Sequence, residues 1–171
     1  MTYDSDLKTP NSRLITHNFF KEQIMIKGKP INILLVEDDE AHAEIVRRNL
    51  ADFRVANKIT LVKDGQAALD YLFHQGAYAD PQSSIIPDIV LLDLRLPKVD
   101  GLEVLKQIKE DNKLRHIPTV VLTTSSTESD MIKAYDNGAG SYIVKPVDFD
   151  KFTKLMDAFG FYWLAWNRYP E

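Results

Sequence analysis

The sequence contains no cysteine, and this absence removes several kinds of chemistry at once. Without thiols the chain can form no disulfide, no thiolate metal site and no cysteine nucleophile. It has only four histidines, and no pair of them is spaced as the ligands of a zinc site usually are. We therefore interpret His42, His74 and His116 as isolated surface residues.

Long apolar runs and a surplus of basic residues are also missing. The longest wholly apolar runs, such as 161–166, are far shorter than the ~20 residues that cross a bilayer. Asp4 and Asp6 lie where a secretory signal would be basic and then apolar. Lys and Arg total 21 against 25 Asp and Glu, a net charge of −4, so the basic stripe typical of nucleic-acid or anionic-membrane binding is lacking. We expect a cytoplasmic protein that binds neither nucleic acid nor membrane.

From residue 31 onward, short apolar segments of strand character alternate with segments of helical periodicity. The pattern predicts strands at 31–36, 59–62, 88–93, 119–123 and 141–144, and helices at 40–53, 65–73, 101–111, 127–137 and 148–166. Such alternation is typical of one α/β domain with a doubly wound parallel sheet of five strands. A long loop over 74–87 interrupts it before the third strand.

Residues 1–30 differ from this pattern. Their apolar residues have a ragged spacing, and 28–30, with the sequence Gly-Lys-Pro, interrupt the chain before the first strand. We expect a flexible N-terminal extension, followed by one domain over 31–171. Two alternatives stay open: translation that starts at Met25, and a short amphipathic docking helix.

Charged residues follow three of the predicted strands. Asp93 ends the third strand, the acidic run 37–39 follows the first, and Lys145 follows the fifth. The carboxyl ends of parallel strands meet at one edge of a sheet, where open α/β sheets bind their ligands. Carboxylates suit Mg²⁺, while Thr123 and Lys145 offer a hydroxyl and a cation to a phosphate oxygen. The sequence therefore predicts a Mg²⁺ and phosphate site in which Asp93 can act as a nucleophile.

These residues resemble the receiver domain of two-component response regulators. The resemblance extends from Ile31 to about Phe159 and rests on five motifs in the family's order, namely Glu37-Asp38, Asp93 with Leu96-Pro97, Asp100-Gly101, Thr123 and Lys145-Pro146. It implies a flavodoxin-like receiver fold with strand order 2-1-3-4-5. The long loop and the aromatic end of the chain are similar, more narrowly, to single-domain regulators that are paired with phytochrome kinases.

The resemblance also implies a metal site. Asp93 matches the phosphoacceptor, and Asp38 and Asp93 match the direct ligands of Mg²⁺, for which Mn²⁺ or Ca²⁺ can substitute. The backbone carbonyl of Arg95 matches a further ligand, and Glu37 matches a residue that binds the ion through water. By the same resemblance the protein is a signalling module that assists its own phosphorylation and dephosphorylation, and not an enzyme.

Three further residues match the family's switch. Thr123 and Lys145 match the hydroxyl and the ammonium that bind the phosphoryl group. Tyr142 matches an aromatic residue whose ring turns inward on activation, although it could also simply fill a groove. The bond between Lys145 and Pro146 matches a cis peptide, which proline makes accessible.

The end of the chain is unusually aromatic. Six of thirteen residues are aromatic, namely Phe159, Phe161, Tyr162, Trp163, Trp166 and Tyr169. One helix face cannot bury all of them, and surplus aromatic area commonly marks an interface. We expect a homodimer through helices 4 and 5 and strand 5, with Phe159, Tyr162, Trp163 and Trp166 as interface candidates. The alternative is that the extra rings fold back on their own domain.

The resemblance implies that the protein accepts a phosphoryl group from a sensor histidine kinase, with a phytochrome-type kinase as the candidate. Since the chain after the fifth helix is too short for a DNA-binding or enzymatic module, we expect output by protein–protein contact. A phosphorylation-independent scaffold is the alternative. A phosphatase would need a second carboxylate two residues after the nucleophile, where Arg95 stands. A flavin-binding protein is disfavoured because residues 37–39 would repel the cofactor's phosphate.

Overall fold

The computed structural model describes residues 30–53, 55–80 and 82–167, and its centre is a sheet of five parallel strands. The strands are β1 (Ile31–Val36), β2 (Asn57–Val62), β3 (Ile89–Leu92), β4 (Thr119–Thr123) and β5 (Ser141–Val144). Their order across the sheet is β2-β1-β3-β4-β5, with every neighbouring pair parallel. This confirms the predicted doubly wound fold. The N-terminal extension predicted at 1–30 lies outside the described residues except for Pro30.

Among the described residues, five α-helices connect and follow the strands. They are α1 (Glu40–Ala51), α2 (Gly65–Leu72), α3 (Gly101–Glu110), α4 (Glu128–Asp136) and α5 (Phe149–Gly160). A side-chain oxygen of the residue before each helix accepts a hydrogen bond from a backbone N–H of the first turn. The capping residues are Asp39, Asp64, Asp100, Thr127 and Asp148. Short polar side chains therefore start all five helices.

Two apolar layers hold the helices against the sheet. Alternate residues of each strand point to opposite faces, so that Ile33 and Leu35 pack toward α1 and α5 whereas Leu34 and Val36 pack toward α2, α3 and α4. All four residues of β3 are buried, as expected for a central strand that is covered on both faces. The core thereby fixes the strand ends that carry the polar residues.

Several elements differ from their predicted bounds, and in two cases the structure shows the reason. β2 begins at Asn57 instead of residue 59, because pairing with β1 extends the strand through the polar pair Asn57 and Lys58. The helix predicted over 148–166 is α-helical only to Gly160, and Phe161–Trp166 form a π-helical turn in which Asn167 N donates to the Tyr162 carbonyl at 2.8 Å. Apolar periodicity does not distinguish the two helical windings.

The long loop is tied to α2 by Tyr71. The Tyr71 hydroxyl donates to the Ile85 carbonyl at 2.9 Å and accepts from the Ile85 N–H at 3.2 Å. His74 Nδ1 lies 2.5 Å from the buried hydroxyl of Ser84, so the interpretation of His74 as an isolated surface residue was wrong. Within the described residues, no helix combines the length and apolar character needed to cross a membrane.

Candidate functional site: an acidic cluster around a buried lysine

The carboxyl ends of four strands bring polar residues together, and these residues are buried. Glu37 follows β1, Asp93 follows β3, Thr123 ends β4 and Lys145 follows β5. Their exposed fractions are 1%, 5%, 0% and 3%, respectively. Ionisable groups are seldom this buried unless they are paired. The strand ends therefore meet as the sequence predicts.

The Lys145 ammonium lies at the centre of the cluster. It donates to Asp93 Oδ2 at 2.6 Å and to Glu37 Oε2 at 2.5 Å. Its third neighbour is His42 Nδ1 at 3.5 Å. One buried cation is thus shared by two buried carboxylates, and the cluster has an excess of negative charge.

The two carboxylates respond differently to this environment. Burial tends to raise the pKa of Asp93, but Lys145 and hydrogen bonds from the Thr123 hydroxyl and the Arg95 N–H outweigh it, so the pKa of Asp93 lies below its ordinary value. Burial raises the pKa of Glu37, and Lys145 offsets only part of that effect. Asp93 is therefore the more acidic of the two carboxylates, which suits a nucleophile or a metal ligand.

A hard divalent cation fits the acidic cluster. Carboxylate oxygens of Glu37, Asp38 and Asp93 all lie within 4.8 Å of one another, and Asp38 is exposed to solvent. Oxygen ligands of this kind suit Mg²⁺, Mn²⁺ and Ca²⁺. A cation there would also relieve the repulsion between Glu37 and Asp93, which raises the pKa of Glu37. The Arg95 carbonyl stays a predicted ligand. The Arg95 N–H donates to Asp93 Oδ1 at 3.1 Å.

The predicted switch residues lie next to one another. The Thr123 hydroxyl accepts from the Ser125 N–H at 3.3 Å, in addition to its bond with Asp93. The Tyr142 hydroxyl donates to the Ser125 carbonyl at 3.0 Å, so its half-buried ring is connected to the loop that follows β4. The structure thus brings Tyr142 and Thr123 to the same loop.

The prediction for Pro146 requires correction. No peptide bond among residues 30–53, 55–80 and 82–167 is cis, and the Lys145–Pro146 bond is therefore trans. Proline only narrows the usual preference for trans to about 0.5–1 kcal/mol. A proline at a matching position makes the cis form accessible without selecting it.

The aromatic residues at the end of the chain separate into two groups. Phe159 is 4% exposed and packs in the layer beneath α1 and α5, so its assignment to a dimer interface was wrong. Trp163 packs partly buried against the same layer. Tyr162 and Trp166 are 57% and 59% exposed. The helical spacing of these residues does not reveal which rings the π-helical turn directs outward.

Sequence reasoning missed the part that His42 plays at the site. His42 Nδ1 lies 3.6 Å from Glu37 Oε1, and its ring packs edge to face against the Phe152 ring with 5.8 Å between the ring centroids. The interpretation of His42 as an isolated surface residue was therefore wrong. Its position in the sequence offered a signal, because His42 lies in the first turn of the helix that directly follows the acidic run 37–39.

A second missed feature is an ion pair at the rim. Arg95 Nη2 lies 2.7 Å from Asp130 Oδ2, and the Ser125 hydroxyl donates to the same oxygen at 2.5 Å. Asp130 is in the first turn of α4, 35 residues after Arg95. No local pattern links residues that are so distant in the chain.

Comparison with known proteins agrees with this geometry. The family model of the response regulator receiver domain matches residues 33–157. The probable methanogenesis regulatory protein FilR2 of Methanothrix harundinacea (strain 6Ac) is 47% identical over 142 residues, which are 82% of this chain and 88% of that protein. Response regulator Rcp1 of Synechocystis is 38% identical over 135 residues, which are 79% of this chain and 90% of Rcp1.

Solved structures show the same fold. The crystal structure of the Mn²⁺-bound form of Rcp1 superposes with a TM-score of 0.79 at 37% identity, covering 83% of this chain and 100% of Rcp1. The phosphorylated cyanobacterial phytochrome response regulator RcpA also gives a TM-score of 0.79 at 37% identity, covering 84% of this chain and 100% of RcpA. The residues that the family model matches, 33–157, include every charged residue of the buried cluster. The chain belongs to the response regulator receiver domain family, whose members are signalling modules that bind a divalent cation and interact with histidine kinases.

Proposed function

We propose that the protein is a phospho-accepting response regulator that receives a phosphoryl group from a histidine kinase on Asp93. The observation that supports this most strongly is the Asp93 carboxylate itself, which is buried, kept ionised and 2.6 Å from the Lys145 ammonium. A phosphoryl donor of this kind makes the cytoplasm the expected location. The protein would act as a phosphoacceptor and not as an enzyme with external substrates.

The transfer needs mainly correct placement and neutralised charge. A carboxylate oxygen of Asp93 attacks the phosphorus of the phosphohistidine, the new P–O bond forms as the P–N bond breaks, and the leaving imidazole takes up a proton. Mg²⁺ bound by Asp38, Asp93, the Arg95 carbonyl and, through water, Glu37 would supply further neutralisation of the phosphoryl oxygens. Lys145 and Thr123 donate to the phosphoryl oxygens from the ends of β5 and β4.

The phosphorylated carboxylate would then alter the loop that follows β4. Phosphorylation adds about −1.5 to −2 charges at neutral pH, and Thr123 would move its hydrogen bond toward them. Ser125 lies two residues after Thr123, and its carbonyl accepts a hydrogen bond from the Tyr142 hydroxyl. This loop therefore connects the site to Tyr142. We assign Tyr142 the role of the aromatic switch on this basis.

A phytochrome-type photoreceptor is our candidate for the kinase. The support comes from relatives: RcpA is a phytochrome response regulator, and the bacteriophytochrome response regulator AtBRR is 41% identical with a TM-score of 0.64. Reconstitution with a purified phytochrome kinase and radiolabelled ATP tests the pairing. Transfer to wild type but not to Asp93→Asn supports it, and transfer no faster than from an unrelated histidine kinase contradicts it.

Output would go through protein–protein contact, including a homodimer through α4, α5 and β5. Exposed apolar residues of this face support the assignment, namely Ile132, Tyr135, Val144, Val147 and Phe149. Tyr162 and Trp166 continue the exposed apolar surface beyond the end of α5. Apolar area of this kind commonly marks an interface. Sedimentation at micromolar concentrations, with and without a phosphoryl donor, tests the dimer, and a monomer under both conditions contradicts it.

The decisive test of the proposed function is intact-mass spectrometry after incubation with acetyl phosphate. Wild type should gain the mass of one phosphoryl group only when Mg²⁺ is present, and Asp93→Asn should gain none. Asp88→Asn is a matched control, because Asp88 lies near the opposite end of β3 and accepts from the Asn32 N–H at 2.7 Å. No gain by folded wild type would favour the phosphorylation-independent scaffold.

A further inference from the structure

The ion pair between Arg95 and Asp130 connects the phosphoacceptor loop to α4. Arg95 follows Asp93 by two residues, and its own N–H donates to Asp93 Oδ1 at 3.1 Å. Its guanidinium donates to Asp130 Oδ2 at 2.7 Å. The same residue therefore touches both the site of chemistry and the first turn of α4.

Hydrogen bonds from neighbouring hydroxyls restrain the Asp130 side chain. Hydrogen bonds from the Ser125 and Thr127 hydroxyls lower its pKa, so that it is ionised at neutral pH. Its side chain is 15% exposed, whereas that of Arg95 is 61% exposed. Asp130 is therefore the fixed partner, and Arg95 is the partner with room to turn.

A phosphoryl group on Asp93 would give Arg95 a second anion to bind. The group carries about −1.5 to −2 charges and three acceptor oxygens, and a guanidinium can donate two parallel hydrogen bonds to them. Asp130 offers one negative charge, and the oxygen that binds Arg95 is already shared with Ser125. The stronger anion lies on the side to which the Arg95 backbone is already hydrogen-bonded.

We propose that the Arg95–Asp130 pair is a latch of the unphosphorylated state, which opens when the phosphoryl group on Asp93 takes the Arg95 guanidinium. This inference rests on the proposed function. Opening removes one of the two groups that Asp130 Oδ2 binds and so weakens the contacts of the first turn of α4. That helix carries Ile132 and Tyr135, which are 53% and 51% exposed, so the latch connects the site to the apolar face.

A competition of this kind has a measurable thermodynamic sign. If Asp130 and the phosphoryl group compete for Arg95, then removal of the Asp130 charge must tighten binding of a phosphoryl mimic, and only while Arg95 is present. Beryllofluoride with Mg²⁺ is the probe, and ¹⁹F NMR measures how much is bound. The chains to compare are wild type, Asp130→Asn, Arg95→Ala and the double variant, with Asp136→Asn, an exposed carboxylate at the end of α4, as the control.

We expect Asp130→Asn to tighten beryllofluoride binding by about threefold, the size expected for a partly exposed ion pair. In the Arg95→Ala background the same substitution should change binding little, and Asp136→Asn should behave as wild type. Equal tightening in both backgrounds would mean that Asp130 acts only by its charge, and this result would overturn the latch. No tightening by Asp130→Asn in either background would also overturn it.

Wild type alone provides a second test that needs no variant to fold. Beryllofluoride should speed hydrogen exchange of backbone amides in the first turn of α4, because the latch that holds this turn has opened. Unchanged or slower exchange there overturns the proposal. If wild type binds no beryllofluoride and accepts no phosphoryl group from acetyl phosphate, the proposed function fails; if it does both and the cycle shows no coupling, only the latch fails.

Discussion

The two ends of α5 make opposite use of burial. Beside its start, at the carboxyl ends of the strands, Lys145, Glu37 and Asp93 are charged and yet almost fully buried. Just after its end, Phe161, Tyr162 and Trp166 are apolar and 46–59% exposed. Buried charge and exposed aromatic surface both cost stability in an isolated domain. The contrast fits the proposed function, in which one end binds a cation and a phosphoryl group and the other end contacts another protein surface.

The largest effect should come from removal of the buried cation. Lys145→Met leaves Glu37 and Asp93 facing each other without a counter-ion, and breaking such a pair typically costs about 4 kcal/mol. Urea unfolding in EDTA should show this loss at neutral pH, and Mg²⁺ should restore part of it. Lys151→Met, at an exposed lysine of α5, should cost little. A loss below about 1 kcal/mol would show that the cluster is not held by its charge.

The same variant should respond to pH in a definite direction. The folded-state pKa of Glu37 is raised by burial, so the folded protein holds this proton more tightly than the unfolded chain does. The penalty from a charged Glu37 is therefore present above its raised pKa and is relieved as the pH falls below it. The deficit of Lys145→Met relative to wild type should shrink on going from neutral to mildly acid pH. A deficit that grows instead would place the excess charge elsewhere.

At the aromatic end, two substitutions should separate stability from association. Phe159→Ala removes a ring that is 4% exposed and should lower the free energy of unfolding by about 3 kcal/mol. Trp166→Ala removes a ring that is 59% exposed and should change the free energy of unfolding by no more than about 0.5 kcal/mol, while it weakens self-association. Urea unfolding and sedimentation measure the two quantities. A large loss of monomer stability in Trp166→Ala would favour the alternative that the ring folds back on its own domain.

Gly101 and Gly140 allow a matched test of how much room the surrounding atoms leave for a side chain. A Cβ at Gly101 would lie 2.2 Å from the Asp93 carbonyl oxygen and 2.6 Å from Leu94 Cα, so only glycine fits there. Gly101→Ala should lower the free energy of unfolding by about 2 kcal/mol and slow phosphorylation, because the Asp93 backbone must move. At Gly140, just before β5, the atom nearest to an added Cβ would be the Thr119 carbonyl oxygen at 3.6 Å, and alanine should be tolerated. Equal losses in the two variants would contradict this account.

The smallest effect concerns His42. His42→Asn can keep an acceptor near the Lys145 ammonium and loses the ring, whereas His42→Phe keeps the ring contact with Phe152 and loses the acceptor. If His42 positions Lys145, the phenylalanine variant should take up the phosphoryl group from acetyl phosphate about twofold more slowly and the asparagine variant at nearly the wild-type rate. The reverse order would assign His42 a packing role.

The local pattern of apolar and polar residues was sufficient to predict most of the fold. β3 is a run of four apolar residues followed by Asp93, and a continuous apolar run of this length is typical of a strand that is buried on both faces. Asp39 and Asp100 cap α1 and α3, and a cap depends on only a few neighbouring residues. β2 was less well bounded because Asn57 and Lys58 become strand only through their pairing with β1.

The charged residues of the site could also be read from the chain, because the order of motifs and the ends of parallel strands place them at one edge. Their environment could not. Contacts between residues that are far apart in sequence determine that Lys145 binds both Glu37 and Asp93, that His42 faces them and that Asp130 holds Arg95. Periodicity does not encode such contacts.

The sequence by itself determined the parallel sheet and the family, together with the polar residues that meet at the carboxyl ends of the strands, because these depend on local apolar pattern and on motif order. Only the tertiary structure decided that the Lys145–Pro146 bond is trans, which aromatic rings stay exposed after Gly160 and which carboxylate binds the Arg95 guanidinium. The physical reason is range: a pattern acts over a few residues, whereas burial and ion pairing depend on everything that the fold brings within a few ångströms.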